Sequence, residues 1–467
     1  MNNLGLAVRR IVPFALAIGI WFWPIPAGLT AQAWHLFAVF VSAITAVLDG
    51  AFPLLTSTML AAAAVVLTGT ISPAKAFAGF ANPSVLLVVI AFLVAQAVVK
   101  SGLGRRISLF MVSLFGRSSV GLAYSIVLTD AAIAPAFPSN TARGGVLYPI
   151  VLSVAQGSNS RPDDPEGRRL GGYLMFCAMA SLAVSSALWM TATSANPIGI
   201  QLVQEFGLEI GFGKWLVAAS LPALTAIVGL PWLIAWLFPP GVSKTPDAPV
   251  AARKALAELG SLSRDEWITA VAFVMMVTGW ILADRLQLNV TSIAFGGLGL
   301  LLMTSVLTAS DITTQGDTLA TFLWLAVLFA LSGQLNELGF MSYAGQRLAS
   351  HMGGLSWPLT YVSLLVLYVV IHYMFVSQSS QVLALLAVFL EVGIRGGVPA
   401  PLMAFALLFA SSYFSVITPQ GGSQNVIFVG SGYLTQRELY RLGALTTLAF
   451  LGVFLVIGSA WILLVTR

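Results

Sequence analysis

The 467-residue sequence predicts an all-α polytopic membrane protein, with about eleven transmembrane helices plus two re-entrant hairpins in two inverted repeats. Three observations carry that expectation. Hydrophobic residues make up 58% of the chain and charged residues 8%, against about 25% charge in a soluble domain. A soluble enzyme of this length is excluded. The apolar runs are continuous rather than alternating, which also excludes a transmembrane barrel. Polar breaks then recur at matching places in the two halves.

The first apolar segment, about 11–28, lacks a small-residue cleavage site and reads as a retained helix in an N-terminal unit of about residues 1–32. The first repeat, about 33–238, places crossings near 33–48, 53–72, 85–100, 170–195 and 215–237, at about 20 residues per span. Between them, about 119–156 is apolar but breaks at Pro138-Ser139-Asn140-Thr141. Each half is short for a crossing, so the stretch reads as a hairpin that enters and leaves on one side. A polar linker, about 239–265, divides the chain. The second repeat, about 266–467, repeats the pattern with crossings near 267–283, 289–307, 319–335, 401–425 and 443–465. Its hairpin, about 357–390, breaks at Ser377-Gln378-Ser379-Ser380-Gln381.

The halves echo each other. Phe92-Leu93-Val94-Ala95-Gln96-Ala97 before Lys100-Ser101-Gly102 matches Leu328-Phe329-Ala330-Leu331-Ser332-Gly333-Gln334 before Glu337-Leu338-Gly339. Thr193-Ser194-Ala195-Asn196-Pro197 matches Thr418-Pro419 through Gln424-Asn425. Five crossings per repeat is an odd number, so the repeats are inverted. Inverted repeats with broken helices are the signature of a secondary transporter. Fifteen of the 22 Lys and Arg residues fall on one side, Arg9, Arg105 and Arg264 among them, and six on the other, including Arg285 and Arg467. This puts the N-terminus in the cytoplasm and the C-terminus outside. The net charge of +5 is therefore topology, not a nucleic-acid surface. The single cysteine, Cys177, excludes an intrachain disulfide, and three scattered histidines make no obvious metal site.

A hairpin tip in the membrane cannot leave its backbone groups to lipid, so it must line a polar cavity. Each returning half-helix points free N–H groups and a positive dipole end into that cavity. Ser139, Asn140 and Thr141, and Ser377, Gln378 and Ser379, add hydroxyl and amide donors. Two facing tips suit a substrate with two carboxylates. The alternative use of such triplets is backbone bonding within a packed helix. Thr193 with Asn196, and Thr418 with Asn425, are site walls or satisfied packing amides. His372 reads as a packed imidazole. Arg143 lies at midplane depth, where an unpaired charge is costly, and Asp130 is its partner. The pair is either a charge-compensating group for the anion or a structural clamp on the hairpin.

Pro138-Ser139-Asn140-Thr141-Ala142-Arg143-Gly144-Gly145, with Tyr148-Pro149 behind it, resembles the first hairpin signature of the divalent anion:sodium symporter family. The closest branch is that of bacterial dicarboxylate and citrate exchangers and plastid 2-oxoglutarate/malate translocators. His372-Tyr373-Met374-Phe375 and Gly430-Ser431-Gly432-Tyr433 are similar to it, and the likeness spans about residues 35–465. It implies an elevator-type carrier in the inner (plasma) membrane, a homodimer surrounded by lipid, moving small carboxylate anions through the two Ser-led triplets, without a cofactor. Arg143 fits the exchangers, and Pro135, Tyr373 and Gln378 depart from the sodium-coupled pattern. Gln381 stands where the exchanger branch has His, and the 418–425 stretch departs from it too. A sodium-coupled dicarboxylate symporter is the close alternative. An intramembrane enzyme is the distant one, since no His-Glu-x-x-His or Gly-x-Gly-Asp motif is present.

Overall fold

In a computed structural model, the structure describes residues 3–164, 167–351, 354–375 and 377–466. Arg467, assigned above to the outer side, lies outside them, as does the side chain of His351. Among the described residues there is no strand. Nine helices among the described residues are long and apolar enough to cross a membrane, by length and composition. They include Ala31–Leu48, Pro83–Ser101, Arg168–Leu188, Phe212–Leu237, Arg264–Leu286, Gly316–Glu337 and Gln436–Val465.

The other two are hairpin arms. The first hairpin runs through Ser119–Ile133, a turn at Ala134–Ala136 and a return arm Asn140–Gly157. The second runs through Trp357–His372 and returns as Gln378–Arg395. By length and composition, Ser119–Ala136 and Gln378–Arg395 both reach spanning length, so shortness alone does not make a segment re-entrant. The break, not the length, sets these segments apart.

Other expected spans end early. The helices at Leu54–Leu67 and Val290–Met303 hold 14 residues each, stopped by positive-φ residues at Gly69 and Ser305. The spans expected near 170–195 and 401–425 end at Leu188 and Tyr413. They restart as Ala195–Gln204 and Asn425–Val429. Three helices of twelve or more residues fall where loops were expected: Leu103–Phe115, Asp247–Leu259 inside the linker, and Phe340–His351.

Two groups of helices emerge from the packing. Arg168–Leu188 is buried from Leu170 onward and is the hub of one group, packed on both arms of the first hairpin, on Phe212–Leu237 and on Ala400–Tyr413. The second group packs Ala31–Leu48, Leu54–Leu67, Pro83–Ser101, Val290–Met303 and Gly316–Glu337 among themselves. Leu103–Phe115 and Phe340–His351 bridge the groups, each just before a hairpin. They are used differently. Leu103–Phe115 lies along the outgoing arm of its hairpin, and Phe340–His351 along the return arm of the other. At the end of the span Pro83–Ser101, Lys100 donates to Asp311, which lies outside the spans, at 2.7 Å. This bond, with those from Thr308, draws the Asp311 carboxyl down to about 2.

The hub helix tolerates no side chain at Gly171, where a Cβ would fall 2.1 Å from the buried Tyr433 ring. The Tyr433 hydroxyl is held by the Ser160 carbonyl at 2.7 Å. Gly171→Ala is expected to cost about 1–3 kcal/mol through overpacking, seen as a lower melting temperature in detergent. An unchanged melt would show that the Tyr433 ring is free to move.

Candidate substrate site

Each return arm begins in the same way. Ser139, extended at φ −144°, caps its arm by accepting from the Ala142 N–H at 3.2 Å. Ser377, at φ −111°, accepts from the Ser380 N–H at 3.3 Å. The broken helices are mirrored as closely. The Asn196 side-chain amide donates to the carbonyls of Ser186 at 2.8 Å and Trp189 at 3.1 Å. Asn425 donates to Ser415 at 2.7 Å and Thr418 at 2.9 Å. Both amides reach back to the carbonyls left open where a helix stops. Each leaves its own oxygen without a partner.

The two tips meet. Asn140 Nδ2 donates to Gln378 Oε1 at 3.1 Å, and the Thr193 hydroxyl lies 3.5 Å from the same oxygen. Each tip also pairs with the broken helix of the other repeat. Thr141 donates to Ser423 at 2.6 Å, and Ser194 and Ser379 share a hydrogen bond at 2.8 Å. Asn140, Thr141, Thr193, Gln378 and Ser379 therefore converge, with Ser139 capping the arm behind them. Ser377, Asn196, Asn425 and Thr418 support them, the last through its carbonyl.

Behind the first tip, Arg143 and Asp130 are both fully buried, 3.0 Å apart. Asp130 also accepts from Ser181 and Ser185 at 2.6 Å each. Arg143 Nη2 donates to Asn140 Oδ1 at 2.6 Å and to the Leu182 carbonyl at 3.2 Å, and bonds the Ser186 hydroxyl as well. Ser186 in turn donates to Asn140 Oδ1 at 2.6 Å. Arg143 thus holds the Asn140 carbonyl backwards and leaves its NH2 facing the other tip. Ser181, Ser185 and Ser186 went unassigned in the sequence, though three hydroxyls on an otherwise apolar helix were a signal. Behind the second tip, His372 Nδ1 lies 2.5 Å from Gln381 Oε1 and Nε2 lies 2.6 Å from the Gly421 carbonyl. Gln381 Nε2 donates to Tyr368 O at 3.1 Å. His372 clamps its arm to the return arm and to the second broken helix.

Chemically, the meeting point offers helix N-termini, hydroxyls and amides, with its one charged pair closed on itself. Hydroxyl pairs of this kind present donors that a carboxylate oxygen can take over. Among the described residues, no group of three or more His, Cys, Asp or Glu side chains gathers to hold a metal.

Broken helices whose tips converge within a bundle of membrane-length helices form the arrangement of a membrane transporter. The family model described as "Sodium:sulfate symporter transmembrane region" matches residues 5–466, so the chain belongs to this family of divalent anion transporters. It is 34% identical to dicarboxylate transporter 1, chloroplastic, of Arabidopsis thaliana, over 98% of this chain and 83% of that one. It is 30% identical to the citrate/succinate antiporter of Escherichia coli (strain K12), over 97% of each. The Neisseria gonorrhoeae MtrF structure shares the fold at TM-score 0.58 and 14% identity, covering 98% of this chain and 94% of that one. The Alcanivorax borkumensis YdaH transporter does so at TM-score 0.57 and 18% identity, over 83% and 86%. The chain is a multi-pass membrane protein.

Arg143→Met strands Asp130 without its counter-charge and is expected to cost about 3–5 kcal/mol. Asp130→Asn together with Arg143→Met removes both charges and should regain most of that loss. Melting temperatures in detergent compare the two. A double variant no more stable than the single would mean that the ion pair is not what clamps the hairpin.

Proposed function

We propose that the chain exchanges di- and tricarboxylate anions across the inner membrane by alternating access, with C4 and C5 dicarboxylates as the first candidates. One observation carries the choice of exchange over sodium coupling. The Asn140 oxygen is occupied by Arg143 and Ser186, and the Gln378 oxygen by Asn140. Neither tip amide keeps a carbonyl oxygen free for a cation. The relatives named for dicarboxylates and for citrate/succinate exchange support the substrate class. Within this reading Arg143 is a positioning residue that aims the Asn140 donor.

The site opens unevenly. Thr141 and Ser423 are exposed, whereas Ser379 is buried and Ser194 half-buried. With the N-terminus cytoplasmic, the open pair faces the cytoplasm. In the opposite state the repeats trade roles, and Leu103–Phe115 moves onto the return arm of its hairpin. Gly339 follows Gly102 by 237 residues and Ser377 follows Ser139 by 238. At those offsets, the close approach of Gly345 to the Glu391 side chain maps onto Ser108 and Ser153. Cysteines at Ser108 and Ser153, in a Cys177→Ser background, should cross-link under oxidation and halt exchange. Free exchange after complete cross-linking rejects this motion.

A sodium-coupled reading draws on one observation: the Asn196 and Asn425 oxygens are buried and unpartnered. Proteoliposomes decide. Labelled malate should enter vesicles loaded with malate or succinate, and fail to enter empty ones, equally in sodium and potassium salts. Uptake into empty vesicles driven by a sodium gradient overturns exchange. We also take a homodimer as the working unit; full exchange by a particle of monomeric mass in mild detergent refutes it.

A further inference from the structure

The inverted repeats give an internal control for the polar atoms at the two helix breaks. In the first break, the only buried side-chain polar atom without a partner among the described residues is Asn196 Oδ1. Its counterpart, Asn425 Oδ1, is equally free. The second break carries more: Ser415 Oγ, Thr418 Oγ1, and both Nε2 and Oε1 of Gln424. Gln424 is fully buried. Neither end of its amide has a partner among the described residues. A buried amide left so is costly, and its counterpart 229 residues earlier is Ala195. Nothing about breaking a helix here requires the amide.

Its placement follows from the same comparison. Two residues before Ala195 stands Thr193, whose hydroxyl reaches toward the second tip. The matching residue is Gly422, and the Gln424 amide folds over it: a Cβ at Gly422 would lie 2.6 Å from Nε2 and 2.8 Å from Oε1. The amide therefore fills the space that a threonine side chain fills in the first repeat, the position that faces a tip. On the other side, Gly144 of the first return arm leaves room for the Gln424 side chain, a Cβ there falling 3.4 Å from Gln424 Cβ. Ser423, beside it, bonds Thr141.

We infer that Gln424 is a specificity residue that selects substrates carrying a hydroxyl beside a carboxylate, that is, 2-hydroxy dicarboxylates such as malate over succinate. A carboxylate oxygen only accepts and can satisfy Nε2 alone. A hydroxyl both accepts from Nε2 and donates to Oε1, and it is the smallest substrate group that satisfies both. A site built to bond a hydroxyl discriminates against the analogue that lacks it, because its buried groups are then left empty.

The inference rests on the proposed dicarboxylate exchange, and one competition experiment separates the two. Proteoliposomes loaded with malate take up labelled malate against unlabelled malate or succinate. Wild type should need about ten-fold more succinate than malate for half-inhibition, the loss of one hydroxyl–amide interaction. Gln424→Ala copies the first repeat and so keeps a residue the fold already accepts; its ratio should fall to within about two-fold. A wild-type ratio near one, or a ratio unchanged in Gln424→Ala, overturns the inference and leaves dicarboxylate exchange standing. A variant weakened equally toward both substrates marks a structural amide and overturns it too. Absence of any carboxylate exchange by wild type overturns both.

Discussion

Breaking a helix inside a bilayer frees N–H and C=O groups that lipid cannot satisfy, and the centre of this protein is arranged around that constraint. At four breaks the remedy is local and repeated. Ser139 and Ser377 cap the return arms from below, and Asn196 and Asn425 reach back to the carbonyls at the ends of the broken helices. Because each repair uses side chains of its own segment, the breaks hold their shape without help from the opposite repeat. The remaining hydroxyls and amides are then released to bond across the repeats, tip to break and tip to tip. In the proposed function, those cross-repeat bonds are the ones a substrate would replace.

The two tips are stiffened by unlike means. The first leans on a buried ion pair set into three serine hydroxyls of the hub helix. The second leans on a histidine and a glutamine. A buried ion pair is poor evidence for net stability but a strong constraint on geometry, since neither partner can leave alone. The consequence falls on Asn140, whose amide orientation is set by Arg143. Its mirror, Gln378, is one methylene longer and has no cation behind it, and it spans the gap to Asn140 instead.

Much of this was legible in the sequence, for a physical reason. Polar residues inside long apolar runs are expensive, so Ser139 and Ser377 stood out, and their 238-residue spacing paired them. The reading failed where apolar composition hid geometry. Ala195–Gln204 is a separate helix made of residues that would equally extend the previous one. Leu103–Phe115 and Phe340–His351 mix charge and apolar residues too evenly to register as spans. The hydroxyls of Ser181, Ser185 and Ser186 were a weak signal, because a helical serine ordinarily bonds its own backbone. Only the fold shows that they face Arg143. Gln424 was read merely as part of a departure from the family pattern. Its meaning appears only when set against Ala195.

The electrostatics of the site bear on the mode of transport. Moving one charge through the membrane potential is worth about 2.3 kcal/mol per 100 mV, so a dianion carried alone faces about twice that when it moves against the field. A symporter offsets the cost with co-bound cations. Here the one buried cation at the site, Arg143, is already paired with Asp130, and the opposing groups are dipoles, hydroxyls and amides. Such a site brings no net charge of its own to balance the substrate. Swapping one dianion for another cancels the electrical work without any balancing charge, whereas net uptake does not. A neutral, dipole-lined site therefore suits the proposed exchange better than net uptake of a dianion alone.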